Sequence, residues 1–207
     1  MSDKFPGLVR LLVSAIAFVL IGSLSVLGQE KKRVITWPPY SVSMVQGAGP
    51  GTKLSPVSDA VEIVSIEVAG HSIKVGQPFS ADDDWLGSLT VSLKNISGQA
   101  ISGAQISFVI PETEAPDRGM LTTKLLYGTS SSSRQPDVPH KLVAPDEVFE
   151  LKLTVAEYEQ EKNRILQAGL STGVVKLWIG STMVKFEDGT HWASGCLKSS
   201  DPSNACP

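Results

Sequence analysis

Apolar and polar side chains alternate with a period of two along most of the chain between residues 61 and 192, which predicts strands. The clearest run sets Leu89, Val91 and Leu93 on one side and Ser88, Thr90, Ser92 and Lys94 on the other. Asn95-Ile96-Ser97-Gly98 supplies a turn, and residues 101–110 return with Ile106, Phe108 and Ile110 on one face. The two runs therefore read as antiparallel neighbours. Upstream, Val61 and Ile63, then Ile66 and Val68, alternate with Glu62 and Glu67. The slip between Ile63 and Ile66 predicts a bulge or a strand that changes sheets. Ala69-Gly70 turns the chain into a short return strand over residues 71–75.

Downstream, Phe149, Leu151, Leu153 and Val155 form an inward set against Glu150, Lys152 and Thr154. A helix over residues 156–168 follows. Thr154-Val155-Ala156-Glu157 has the capping-box pattern, in which hydroxyl and carboxylate each satisfy a free backbone N–H. Gly169 closes the helix, and Tyr158, Ile165 and Leu166 share the face expected to lie across an end of the fold. After Gly173, the set Val175, Leu177 and Ile179 is expected inward, against Val174, Lys176 and Trp178. The strand runs on through Met183 to Phe186 into Glu187-Asp188-Gly189-Thr190, a strong hairpin signal, with His191 and Trp192 opening the return strand. Residues 111–145 break the pattern apart from a strand at 120–127; serine and proline density there predicts mobility.

The first 28 residues follow a different pattern. Lys4 and Arg10 precede an apolar run over residues 11–21, and small residues follow up to Gly28, the order of a secretory signal cut before Gln29. The alternative is an uncleaved anchor over residues 11–27, slightly shorter than the ~20 residues that span a bilayer. Residues 29–58, with Pro38-Pro39, the Gly47-to-Gly51 cluster and Pro56, read as a flexible linker. The sandwich itself is assigned to residues 59–198, and residues 199–207 form a tail.

The remaining length is enough for one well-buried domain. The formal net charge of −3 provides no basic face of the kind a nucleic-acid partner needs. The two cysteines, Cys196 and Cys206, are expected to form a disulfide that pins the tail, as an even pair does in an exported chain. Closing so short a loop contributes roughly 2–3 kcal/mol.

Candidate chemistry is sparse. Asp82-Asp83-Asp84 lacks the spacing and glycine of a calcium loop and reads as a solvated loop. His71, His140 and His191 fall in no two-histidine zinc motif, and no nucleophile elbow is present. Copper chemistry fails because no histidine sits at short spacing from Cys196. The expectation is no catalytic residue, no metal and no cofactor. Trp85, Tyr127 and Trp178 are the candidate ligand surface if their rings are exposed and coplanar, as stacking on sugars requires; the tryptophans are expected instead in the core or under the helix, since Trp is highly buried on average. Asn95-Ile96-Ser97 matches a glycosylation acceptor by pattern but is explained as a turn.

Seven or so short strands with one helix between late strands predict an all-β, immunoglobulin-like antiparallel β-sandwich. Leu93-Lys94-Asn95-Ile96-Ser97-Gly98-Gln99-Ala100-Ile101 and Phe186-Glu187-Asp188-Gly189-Thr190-His191-Trp192 resemble exported bacterial proteins carrying such a domain. The resemblance covers roughly residues 61–197 and implies a fold and no activity. The expectation is a secreted or periplasmic, non-enzymatic module that binds an envelope or extracellular protein or glycan. Its recognition loops would be residues 113–143 and 76–84. The alternatives are a secreted hydrolase built on a His/acid pair and a carbohydrate-binding module built on exposed tryptophans. Membrane association would follow only if residues 11–27 were retained.

Overall fold

The computed structural model describes residues 31–38, 52–55, 58–117, 119–128, 141–171, 173–204 and Cys206. The expected signal or anchor lies outside these residues, as do most of the Pro/Gly-rich stretch, His140 and the serine-rich part of the long loop. No helix among the described residues is long and apolar enough to cross a membrane.

Two antiparallel-dominated sheets enclose a shared core. The strands are β1 (Lys31–Thr36), β2 (Thr52–Ser55), β3 (Val61–Val68), β4 (His71–Ser72), β5 (Phe79–Ala81), β6 (Leu89–Asn95), β7 (Ile101–Ile110), β8 (Leu121–Gly128) and β9 (Val148–Lys152). After helix α1 (Val155–Gln167) come β10 (Lys176–Phe186), β11 (His191–Ser194) and β12 (Lys198–Ser199). The smaller sheet runs β12-β3-β6-β9, with β4 also on β3. In the larger sheet β10 is central: β7 and then β8 lie on one side, and β1 and β11 share the other.

The predicted period-two sets meet between the sheets. Leu89, Val91, Leu93 and Leu151 face Ile106, Phe108, Leu177 and Ile179, each at most 1 % exposed. Each such side chain contributes about 1.5–3 kcal/mol by leaving water. The slip in the first strand is a bulge: the β3–β6 register shifts between Ile63 and Ser65, and Val64 is turned outward. A second shift on β10, between Ile179 and Thr182, lies where its edge passes from β1 to β11. Gly180 fits there because a Cβ would come within 3.0 Å of the Ser107 carbonyl.

Four expectations are corrected. The stretch 29–58, read as a linker, contributes β1 and β2 to the larger sheet. Its breakers fall outside both strands, Pro38-Pro39 and the Gly47-to-Gly51 cluster between them and Pro56 after β2. Val155 is 81 % exposed because the chain becomes helical at that residue and strand parity ends at Leu153. Val174 is buried and Val175 exposed, because β10 starts only at Lys176 and the two residues before it are not pleated in phase. On α1, Ile165 is buried and Tyr158 half-buried, while Leu166 lies toward solvent.

The helix begins as predicted. Thr154 Oγ1 accepts the Glu157 N–H at 3.2 Å, and Glu157 Oε2 accepts the Thr154 N–H at 2.8 Å. Gly169, at φ +93°, donates to the Leu166 carbonyl at 2.9 Å and ends the helix in the left-handed region.

Candidate functional site

The two ends of the sandwich differ in chemistry. At the α1 end, the three aspartates lie exposed, as expected of a solvated loop, but two of them are also paired. Asp83 pairs with Lys31 at 3.0 Å and with Arg33, whose side chain is fully buried. Lys31 and Arg33 together hold its carboxyl below the usual aspartate range against the opposing effect of burial. Asp84 accepts from Lys162 at 2.9 Å and from the Tyr158 hydroxyl at 2.7 Å, which lowers its pKa. Burial, reinforced by Asp84, pushes the Tyr158 hydroxyl far above its ordinary value. A cavity of about 50 Å³ remains between α1 and the turn at Trp85–Ser88, too small for more than water. These aspartates anchor β1 and α1. The expected recognition loop 76–84 accordingly contains β5 and ends in two anchored carboxylates.

At the opposite end, the β6–β7 and β10–β11 turns and the start of β3 enclose an open cleft of about 530 Å³. Ile96, Phe186 and Trp192 supply its apolar surface; Gln99, Thr190 and His191 supply polar groups. The rim is built by side chains that sequence reasoning assigned to turns. Asn95 is fully buried; its Nδ2 donates to the Gln99 carbonyl at 2.9 Å and to the Val143 carbonyl at 3.1 Å. Its Oδ1 accepts from the Ser97 N–H at 3.0 Å and hydroxyl at 2.6 Å. With both ends of the amide engaged inside the fold, this asparagine is a turn organiser and is closed to glycosylation in the folded domain. Across the cleft, Asp188 Oδ1 accepts from the Thr190 N–H at 2.8 Å and hydroxyl at 2.6 Å, which lowers the Asp188 pKa.

Backbone bonds tie the three walls together. The Ile96 N–H donates to the Ala60 carbonyl at 2.9 Å, and the Glu187 N–H donates to the Ala100 carbonyl at 3.0 Å. The cleft is therefore preorganised rather than a gap between loose loops. Trp192 is 2 % exposed, and its buried indole N–H has no acceptor among the described residues. A buried donor left unpaired costs about 1–3 kcal/mol, so its presence beside a cleft calls for a reason.

The expected ligand surface does not assemble. Trp85 is a core residue, 1 % exposed, stacked edge-on against Phe79 with its Nε1 donating to the Val174 carbonyl at 2.7 Å. The half-buried Tyr127 packs edge-on against Phe149 and donates its hydroxyl to the Lys141 carbonyl at 2.7 Å. Trp178 pairs with Val109 on the outer face of the larger sheet, beneath the Lys176 ammonium. Tyr127 stands opposite Ala104, on the inward face, so the two rings belong to different sides of the sheet. His71 lies on β4 at the far end of β3 from the cleft, whereas His191 lines it. No cluster of metal-ligating residues occurs among the described residues.

The expected disulfide joins Cys196 and Cys206, with Cα atoms 5.8 Å apart. Nothing in the local sequence pattern marks the cleft as a unit. Asn-x-Ser-Gly and Asp-Gly were legible as separate turns, and only the sheet order brings them to one end. No family model matches the chain, and no curated protein or solved structure matches it.

Proposed function

We propose that this chain is an exported, non-enzymatic, immunoglobulin-like binding module that takes its ligand in the cleft between the β6–β7 and β10–β11 turns. The connectivity supports the immunoglobulin-like reading. Taking β3, β6, β7, β8, β9, β10 and β11 in turn, the chain places β3, β6 and β9 in one sheet and β7, β8, β10 and β11 in the other. That is the order of strands A, B and E against C, C′, F and G. The disulfide fits an oxidising compartment outside the cytoplasm.

The observation that carries the binding role is the cleft itself, tied across its walls by backbone bonds and lined by apolar Ile96, Phe186 and Trp192 beside polar Gln99, Thr190 and His191. A ligand with neutral polar oxygens, either glycan hydroxyls or peptide carbonyls, matches the Gln99 and His191 side chains beside this apolar surface. An array of oligosaccharides and extended peptides separates the two sources. Wild-type protein is expected to bind members of one class. The double variant Gln99→Ala, His191→Ala is expected to lose at least about tenfold, and Trp178→Ala on the outer face to retain affinity. Equal binding by the double variant and wild type would overturn the assignment.

A further inference from the structure

The disulfide-closed tail reaches the cleft wall. Two cleft-lining residues, Asp59 and Ala60, lie between two points gripped by the segment that begins at Cys196. On one flank, the Ser58 N–H donates to the Cys196 carbonyl at 2.8 Å, and Ser194 Oγ bridges the Cys196 N–H and carbonyl at 3.0 and 2.7 Å. On the other flank, β12 pairs in parallel with Glu62 and Ile63, and Ser199 Oγ donates to the Ile63 carbonyl at 3.2 Å. Between these contacts Leu197 is 1 % exposed in the core.

The far end of the tail is also anchored. Asn204 is buried, and its Oδ1 accepts the Val75 N–H at 2.8 Å. Asp201 Oδ1 accepts the Ser203 N–H at 2.9 Å and shapes the turn that presents Asn204. Beyond Leu197 the segment is held by few bonds: the two residues of β12, the Ser200 N–H on the Ile63 carbonyl at 3.4 Å, and Asn204 on Val75. The Cys196–Cys206 bond closes the segment into a ring and keeps Asn204 at Val75 and β12 on β3.

We propose that this disulfide is a thiol-sensitive strap that fixes the Asp59–Ala60 wall of the cleft, and that opening it loosens that wall while the sandwich stays folded. The proposal rests on the cleft being the binding site for its functional meaning, although its structural content does not. A dithiol reductant supplies the chemistry. Its thiolate attacks one sulfur to give a mixed disulfide, and its second thiol displaces that bond. Cys196 and Cys206 leave as thiols, and the reductant leaves as a cyclic disulfide. The segment is then no longer held as a ring, and Asn204 and β12 can leave Val75 and β3.

Amide hydrogen exchange with and without dithiothreitol tests this without any ligand. In the reduced protein the Val75 and Ile96 amides, which report on Asn204 and on the Ala60 carbonyl, are expected to exchange at least about tenfold faster. The Ala168 amide at the end of α1 is expected to keep its rate. Unchanged rates at Val75 and Ile96 would overturn the strap, and so would equal acceleration of all three amides, which would make the disulfide a general staple. With the disulfide intact, Asn204→Ala is expected to accelerate Val75 by about tenfold in a folded domain. No acceleration there would show that the tail does not hold Val75 and would also overturn the proposal. Failure of the binding assignment would show instead as array binding unaffected by Gln99 and His191, with reduction still accelerating exchange at Val75 and Ile96.

Discussion

Arg33 and Trp85 converge on one acceptor: the Val174 carbonyl takes Nη1 of Arg33 at 2.8 Å and Nε1 of Trp85 at 2.7 Å. This bond pair joins β1, the turn before β6 and the segment leading into β10. Arg33 is fully buried on the inward face of β1, and Asp83 neutralises it from the loop after β5. Replacing Arg33 with Met removes its bonds to the Val174 and Asp82 carbonyls and its pairing with Asp83, which is left with Lys31. Urea unfolding is expected to show a loss of about 2–4 kcal/mol for Arg33→Met. Lys31→Ala, which breaks a solvent-exposed pair with the same carboxylate, is expected to stay within about 0.5 kcal/mol.

The same end of the fold sets the pH dependence. Asp83 and Asp84 both lie below the ordinary aspartate value, held there chiefly by Lys31 and Lys162 respectively. The unfolded chain therefore binds protons first on acidification. Their stabilisation is complete above the unfolded aspartate range, near pH 4, and is lost as pH falls through the lower folded values. At high pH the sign is reversed. Tyr158 and Lys162 are both raised, the first mainly by burial and the second by Asp84, so their contribution is present below about pH 10 and lost above it. Urea midpoints across pH are expected to fall at both extremes, and Asp84→Asn to flatten both limbs.

Gly173 sits at φ +71°, and a Cβ there would collide with the Asp83 carbonyl. Gly173→Ala must therefore displace the loop that anchors Arg33 and α1. A loss of at least about 2 kcal/mol in urea is expected. Gly98→Ala, with open space around it, is expected to be close to neutral.

At the cleft, Asn95→Ala removes four side-chain hydrogen bonds and leaves the Val143 carbonyl without its Nδ2 donor. The expected cost is about 2–3 kcal/mol, with faster exchange confined to the β6–β7 turn. Thermal unfolding together with amide exchange checks both parts.

The core was legible because strand parity is local information. Leu89, Val91 and Leu93 needed only their own alternation to be placed inward, and Thr154 and Glu157 needed only each other to start α1. Arg33 was not legible, since a charged residue among Lys31, Lys32 and Val34 looks solvated until Asp83 and Val174 are brought to it. Trp85 is in the core, the place expected of most tryptophans, but its partner Val174 lies 89 residues away and no local pattern announces it. The cleft depends on two turns separated by most of the domain, and periodicity carries no information about which turns share an end.

The indole N–H resonances of Trp192 and Trp85 report on opposite ends of the sandwich, one unpaired beside the cleft and the other bonded to Val174. Nuclear magnetic resonance titration with the array-selected glycan or peptide is expected to shift the Trp192 signal and leave that of Trp85 in place. A bound ligand that moves Trp85, or that leaves Trp192 unmoved, would contradict the assignment of recognition to this end of the molecule.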